Sequence, residues 1–318
     1  MNNDKLVPIF FTIDESYVPW LAVALTSMKE NASPDYDYRI HVITEDVSDD
    51  SKARLKAHEA DNFHIEFTEM PKNLDAISNR EENYLRADFF TLTIFFRLFL
   101  ADMFPQYDKA IYLDGDICVP GDISEMFKID LGTTLLGVVN DYSIAGIPEL
   151  TRYVKEAVGV DHKRYFNSGI LLMNFKEMRE KNLAGRFLEL LQRYQFDTIA
   201  PDQDYLNAMC KDNVTYLPNE WDSMPCDLPE FKNPQVIHYN LFDKPWCYDD
   251  VKYEDYFWKY AEESGFEKEI HDFKDHYSDE QKASDQKAMG LLVSRSASIP
   301  DQEVTMRKIF ESGQEERL

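Results

Sequence analysis

Two carboxylates flank a single glycine, Asp114-Gly115-Asp116, directly after the apolar run Lys109-Ala-Ile-Tyr-Leu113. In an extended chain, side chains two residues apart project to the same side, so both carboxylates can face one cation. Hard oxygen donors suit Mg²⁺ or Mn²⁺, ions that bridge the oxygens of a diphosphate. Gly115 leaves room for a ligand to approach the backbone. The same spacing also suits a tight acidic turn at a strand end, where Asp-Gly is common. A second chemical signal is Arg97, alone in the apolar stretch Thr93-Ile-Phe-Phe-Arg97-Leu98. A buried guanidinium needs an anionic ligand or an internal carboxylate partner.

The elements that must position these groups alternate between strand and helix, the pattern of an α/β sandwich around a mostly parallel sheet. Strands are expected at Leu6 to Thr12, Arg39 to Thr44, Phe63 to Glu66, Lys109 to Leu113, Leu135 to Val139, Gly169 to Phe175 and Gln235 to Tyr239. In such sheets ligands bind at the C-terminal strand ends, which is where the acidic triplet falls. Helices are expected at Trp20 to Lys29 with Pro19 in the first turn, after a Ser48 cap, at residues 86 to 103, at Glu177 to Tyr194 and at Tyr253 to Gly265. Prolines at 218, 225, 229 and 234 make Leu217 to Pro234 an irregular loop. From about residue 270 the chain is polar, with a weak helix near Val304 to Phe310, and is expected to add little to function.

Composition narrows the function. The 318 residues, 44% hydrophobic and 14% aromatic, suffice for one large folded domain with an appendage. Lys and Arg total 34 against 59 Asp and Glu, a formal charge of −25. Such a surface repels nucleic acid and anionic lipid, and the tail from 251 to 318 is itself net acidic, which disfavours electrostatic membrane association. An anionic substrate would need a cation in its site. Cysteines at 118, 210, 226 and 247 form no CxxC pair, and no signal peptide or membrane span is visible. A cytoplasmic protein with reduced thiols is expected.

Further segments follow in order: Phe10-Phe-Thr-Ile-Asp-Glu-Ser-Tyr17, the Arg97 run, the acidic triplet, Tyr165-Phe-Asn-Ser-Gly169, Pro201-Asp-Gln-Asp204 and His238-Tyr-Asn-Leu-Phe-Asp-Lys-Pro-Trp246. On these segments, from about residue 6 to about residue 260, the chain resembles glycosyltransferase family 8, which includes bacterial lipooligosaccharide galactosyltransferases and glycogenin. The resemblance implies a GT-A-type, Rossmann-like α/β/α sandwich with a mixed, mostly parallel sheet. It implies a UDP-hexose donor, UDP-glucose or UDP-galactose, and Mn²⁺, with Mg²⁺ as the alternative ion. Carried over residue by residue, Asp114, Asp116 and His238 would bind the metal. Thr12 and Asp14 would hydrogen-bond the uridine and Tyr17 would stack on the uracil, while Arg97 and Lys244 would meet phosphate or sugar. Leu113 and Gly115 join the donor-binding set, as do Asn167 and Ser168 on the sugar hydroxyls. Asp141 and Asp202 would lie on the transferred sugar, with Gln203 beside its anomeric carbon. Many relatives carry a glycine where this chain has Leu241-Phe242.

Each segment has a plainer structural explanation: Asp14 and Asp202 as helix caps, Asn-Ser-Gly as a turn, Arg97 as half of an internal salt bridge. A haloacid-dehalogenase-type phosphatase also opens on Asp-x-Asp after a strand. It expects Thr or Val where Cys118 stands, expects the motif near the N-terminus, and leaves His238 and Lys244 unused. A non-catalytic nucleotide-sugar-binding protein of the same fold is the other alternative. The transferase domain is expected over 1–265 and a polar, partly helical C-terminal extension over 266–318. The acceptor, a glycan or other hydroxyl compound, is expected near the 217–234 segment.

Overall fold

The computed structural model describes residues 5–69, 92–226 and 230–318. Strands β1 (Leu6–Ile13), β2 (Asp37–Thr44), β3 (Phe63–Glu69), β4 (Ala110–Leu113), β6 (Leu136–Val138), β7 (Ile170–Met173) and β8 (Val214–Tyr216) form one sheet in the order β3-β2-β1-β4-β7-β6-β8. All neighbouring pairs are parallel except those made by β7, which runs antiparallel to β4 and to β6. Two short strands, β5 (Ile117–Cys118) and β9 (Ile237–His238), pair separately as an antiparallel ribbon.

Alternation along the central strands divides the core. Ile9 and Phe11, Ile111 and Leu113, and Ile170 and Leu172 pack on one face with the helix Val18–Glu30, the ribbon and the helix Glu254–Ala261. Phe10, Ala110 and Tyr112, and Leu171 and Met173 face the other side, against the helices Leu183–Tyr194, Pro201–Cys210 and Met306–Glu311. Every residue of β4 and β7 is buried, as expected for strands covered on both faces. The arrangement is the expected α/β/α sandwich with a mixed, mostly parallel sheet. Pro19 sits in the first turn of its helix and Ser48 caps the helix Asp49–Lys56, both as expected.

Three expectations fail. The continuous helix at 177 to 194 is two, Phe175–Glu180 and Leu183–Tyr194, because Asn182 takes a left-handed conformation with φ 51° and breaks the hydrogen-bond ladder. The apolar helix at 86 to 103 lies partly outside the described residues. The rest is a 3₁₀ turn, Leu92–Leu98, and a short helix, Leu100–Met103. The segment at 235 to 239 contributes only two paired residues, and to the ribbon instead of the main sheet, whose edge β8 was not anticipated. The tail is partly helical, as expected, and its longest element is a 20-residue helix, Asp279–Ser298, started by a capping box between Ser278 and Gln281. Beyond it, Ile299, Met306 and Phe310 are buried in the second core cluster.

Candidate active site

The reversed strand decides where the chemistry collects. Because β7 opposes its neighbours, its N-terminal end lies beside the C-terminal ends of β1, β4 and β6. Thr12 and Asp14, Asp114, Asp141 and Asn167-Ser168-Gly169 therefore reach one edge of the sheet. There they line a single cavity of ≈ 590 Å³ with Asp202, Gln203, His238 and Lys244. Of the residues singled out from sequence, only Leu113 does not line it; its side chain belongs to the core.

The ribbon brings the third candidate metal ligand. Ile117 pairs with His238, and the Tyr239 amide donates to the Asp116 carbonyl at 3.0 Å, so the imidazole lands beside the acidic triplet. His238 Nε2 lies 3.4 Å from Asp116 Oδ1 and 3.9 Å from Asp114 Oδ2. Ligand atoms of Asp114, Asp116 and His238 all fall within 4.8 Å of one another. On Asp114, Oδ1 accepts from Arg97 Nη2 at 3.0 Å and from the Tyr112 hydroxyl at 2.8 Å, which turns Oδ2 toward the histidine. Lys244 Nζ donates to Asp116 Oδ2 at 2.6 Å and to the Tyr239 carbonyl at 2.7 Å. Burial alone would raise the Asp116 carboxyl, but Lys244 and His238 outweigh it and hold its pKa well below the ordinary range. Gly169 faces this group closely. A Cβ there would come within 2.4 Å of His238 Cε1 and 2.5 Å of Asp114 Oδ2. Two carboxylates and one imidazole around such a cradle are a donor set that can hold a divalent cation.

On the other side of Asp114, the buried Arg97 ties three segments together. Its Nη1 donates to the Ser168 carbonyl at 2.5 Å, and its Nε lies 3.2 Å from Asp202 Oδ2. The internal salt bridge foreseen for Arg97 is thus present, and it lies inside the cavity wall. Asp202 is not a cap: the helix Pro201–Cys210 has Ala200 at its cap position with no side-chain bond, and Asp202 Oδ2 instead accepts from Ser168 Oγ at 2.8 Å. Burial raises its pKa against the opposing pull of Arg97. Gln203 is clamped at both ends. Its Oε1 accepts from the Ser168 amide at 3.0 Å, and its Nε2 donates to Asp141 Oδ2 at 2.9 Å, which fixes the amide's orientation. Asn167 Oδ1 accepts from the Gly169 amide at 2.7 Å, the turn geometry foreseen for Asn-Ser-Gly.

Two buried residues hold this helix in place, and sequence reasoning missed both as site supports. Asp204 accepts from the hydroxyls of Tyr153 at 2.6 Å and Tyr165 at 2.7 Å. Burial raises its pKa to about 6 despite those bonds. Asn207 exchanges two hydrogen bonds with the Phe166 backbone, at 2.9 and 2.8 Å, locking helix to strand entry. On the nucleotide side, Asp14 does cap a 3₁₀ turn, accepting from the Ser16 and Tyr17 amides. Thr12 Oγ1 bonds the Tyr112 hydroxyl at 2.7 Å, and Tyr17 stands 36% exposed next to Gly115. Leu241 takes φ 56°, a conformation that costs a non-glycine residue about 1–2 kcal/mol.

The sequence profile described as glycosyl transferase family 8 matches residues 8–250. The chain belongs to glycosyl transferase family 8. Curated relatives include the lipopolysaccharide 1,2-glucosyltransferase of Escherichia coli (strain K12), 26% identical over 80% of this chain and 78% of that protein. General stress protein A of Bacillus subtilis (strain 168) is 24% identical over 77% of this chain and 89% of that protein. Among solved structures, the galactosyltransferase LgtC in complex with donor and acceptor sugar analogs superposes with a TM-score of 0.66 at 25% identity, covering 81% of this chain and 96% of that one. The apo structure of the bifunctional glycosyltransferase WbbM gives 0.72 at 24% identity over 85% of this chain, which spans about half, 52%, of the WbbM chain. The sandwich is the GT-A fold of these enzymes.

Within this family 8 site, Asp222 was not foreseen from sequence. It is 1% exposed, and its Oδ1 lies 3.3 Å from His238 Nδ1, on the side of the ring away from Asp116. Burial pushes the Asp222 pKa up and would push that of His238 down, but Asp116 and Asp222 together outweigh this and raise the imidazole, holding a proton that a bound cation would replace. A carboxylate behind a histidine fixes its tautomer and ring orientation. If this donor set holds a divalent cation, Asp222→Asn should weaken its affinity about 10–100-fold, measured by calorimetry on the folded variant. Unchanged affinity would assign Asp222 to folding alone. Asp222 lies in the proline-rich 217–234 segment, yet no described residue of that segment lines the cavity. The opposite wall comes from the tail that sequence reading set aside: Ala288, Leu291, Leu292 and Arg295.

Proposed function

We propose that this family 8 chain is a retaining glycosyltransferase that moves glucose or galactose from a UDP-sugar to a hydroxyl of a glycan or other acceptor. The observation that carries the reading is the convergence of Asp114, Asp116 and His238 with Lys244, Asp202 and Gln203 on one cavity. The E. coli glucosyltransferase and LgtC with its sugar analogs support a hexosyl donor. Asp114, Asp116 and His238 would hold Mn²⁺, or Mg²⁺, which when bound supplies charge neutralisation for a diphosphate leaving group. The nitrogen donor favours Mn²⁺.

Thr12, Asp14 and the Gly115 backbone would bind the nucleoside, with Tyr17 stacked on the base. Lys244 would turn from Asp116 to the diphosphate, adding positive charge where negative charge develops. Asn167, Ser168 and Asp202 would orient the hexose through its hydroxyls, and Arg97 would keep them in register. The residue at the anomeric carbon is an amide, Gln203, a poor nucleophile, so double displacement through a carboxylate is disfavoured. In a front-face path the acceptor oxygen bonds to the anomeric carbon as the bond to the phosphate oxygen breaks. The acceptor proton passes to that phosphate oxygen, and the Gln203 carbonyl, held by Ser168 and Asp141, stabilises the oxocarbenium-like centre.

The transferase domain is assigned to residues 1–265, with 266–318 as its helical extension. The four free thiols fit a reducing, cytoplasmic setting, and no described helix is long and apolar enough to cross a membrane. The test is UDP release from UDP-glucose and UDP-galactose with Mn²⁺, against a chelator control. Gln203→Ala should lower kcat about 10²–10³-fold. A glycosyl adduct trapped on any carboxylate would reject the front-face path, and tight UDP binding without turnover would favour a binding protein.

A further inference from the structure

The cavity has two unlike halves. One is built from the carboxylates, imidazole, amides and cations described above. The other is apolar, formed by Ile144, Leu150, Val154 and Ile199 facing Leu291 and Leu292 of the helix Asp279–Ser298. Positions 288, 291, 292 and 295 follow the i, i+3, i+4, i+7 spacing of one helical face, and all four line the cavity. Leu292 packs against the second core cluster, whereas Leu291 remains 59% exposed at the cavity edge.

The helix is fastened to both halves of the site. Near its start, Asp285 Oδ2 accepts from the hydroxyls of Tyr248 at 2.7 Å and Tyr277 at 2.5 Å. The Tyr248 amide in turn donates to the Lys244 carbonyl at 3.0 Å, so this end is tied to the loop carrying the phosphate-facing lysine. At its far end Arg295 pairs with Asp197, which also accepts from Gln302 Nε2 at 2.8 Å, just ahead of the segment carrying Asp202 and Gln203. Arg152 donates to the Ala297 carbonyl at 3.1 Å. Ten residues of helix between Asp285 and Arg295 span about 15 Å. The helix is tied at both points, and between them the residues it gives to the cavity lining are Ala288, Leu291 and Leu292.

We infer that this helix is the acceptor-binding wall, and that it selects acceptors carrying an alkyl or aryl group beside the reacting hydroxyl. The inference rests on the transferase reading of the site. A UDP-hexose is polar throughout and anionic, and its groups match the polar half. An apolar wall continuous with that half gains from covering a partner's hydrocarbon, and a bare polar sugar would leave Leu291 in water. Leu291 is the specificity-determining residue.

The test is equilibrium binding, by calorimetry or ligand-observed NMR, of methyl and n-octyl β-glucosides and β-galactosides, with the octyl compounds kept below their micellar concentration. The full-length protein is used, with UDP and Mn²⁺ present. The octyl glycoside is expected to bind about ten-fold tighter than its methyl partner. Leu291→Asp, a change at an exposed position, should remove that preference with the Kd for UDP shifted less than about two-fold. Equal binding of the two glycosides by the parent protein, or an octyl preference that survives Leu291→Asp, overturns the inference. Failure of the transferase reading looks different: no UDP is released from UDP-glucose or UDP-galactose with Mn²⁺, whatever the glycosides do.

Discussion

On the transferase reading proposed above, Asp116→Asn is expected to lower kcat/KM by about 10³-fold and to abolish the rise in melting temperature expected of the parent protein with Mn²⁺. The carboxylate stands between His238 and Lys244, with one oxygen 3.4 Å from the imidazole and the other 2.6 Å from the ammonium. An amide keeps the size but loses the charge that makes this position a cation ligand. Losing about 4 kcal/mol of leaving-group stabilisation corresponds to the stated factor. The melting shift provides an independent readout, since an ion bound only by the folded state stabilises it by mass action. The variant should still fold, because Lys244 keeps the Tyr239 carbonyl as partner. A variant that retains either the activity or the Mn²⁺-dependent shift would remove Asp116 from the centre.

Gly169→Ala should cost more than a methyl group normally does. The backbone would accept alanine, but the new carbon would meet His238 at 2.4 Å, Asp114 at 2.5 Å and Asn167 Oδ1 at 3.0 Å. His238 is packed between Asp116 and Asp222, and Asp114 is pinned by Arg97 and Tyr112, so neither can yield without losing its geometry. Displacement by a fraction of an ångström to 1 Å at a reacting centre is worth about 10²-fold in rate. Overpacking adds about 1–3 kcal/mol of instability. Gly146→Ala, with nothing within 4 Å of the added carbon, is the matched control and should behave as the parent. Rates and Mn²⁺ affinities of the pair decide the matter: equal values would mean that the cradle is slack.

The acidic triplet was legible because a strand and two carboxylates two residues apart constrain each other locally. The positions of six main-sheet strands along the chain were legible for the same reason, since buried β-rich runs declare themselves. What could not be read was the reversal of β7, which no local pattern encodes and which makes Asn167, Ser168 and Gly169 meet Asp114. Asp222 was hidden in a segment whose prolines suggested only irregularity. Its role comes from a single bridge between Ser223 and Ile237 that places it behind the histidine. A partly helical tail was expected, but the helix at 279–298 was not located, for a different reason. Ser278 and Gln281 offered a readable capping box, but the helix is mostly exposed and polar, so the hydrophobic periodicity that normally announces a helix is weak. Its few inward residues serve a cavity as much as a core.

The Ile117–His238 pairing sets the order in which this molecule becomes chemically competent. Translation delivers the two aspartates first and the imidazole only after most of the sheet has emerged, so a nascent chain carries acid groups without their nitrogen partner. Contacts so distant along the chain are closed late and at high entropic cost. A chain ending before His238 therefore holds both carboxylates of the candidate cation site and lacks its imidazole.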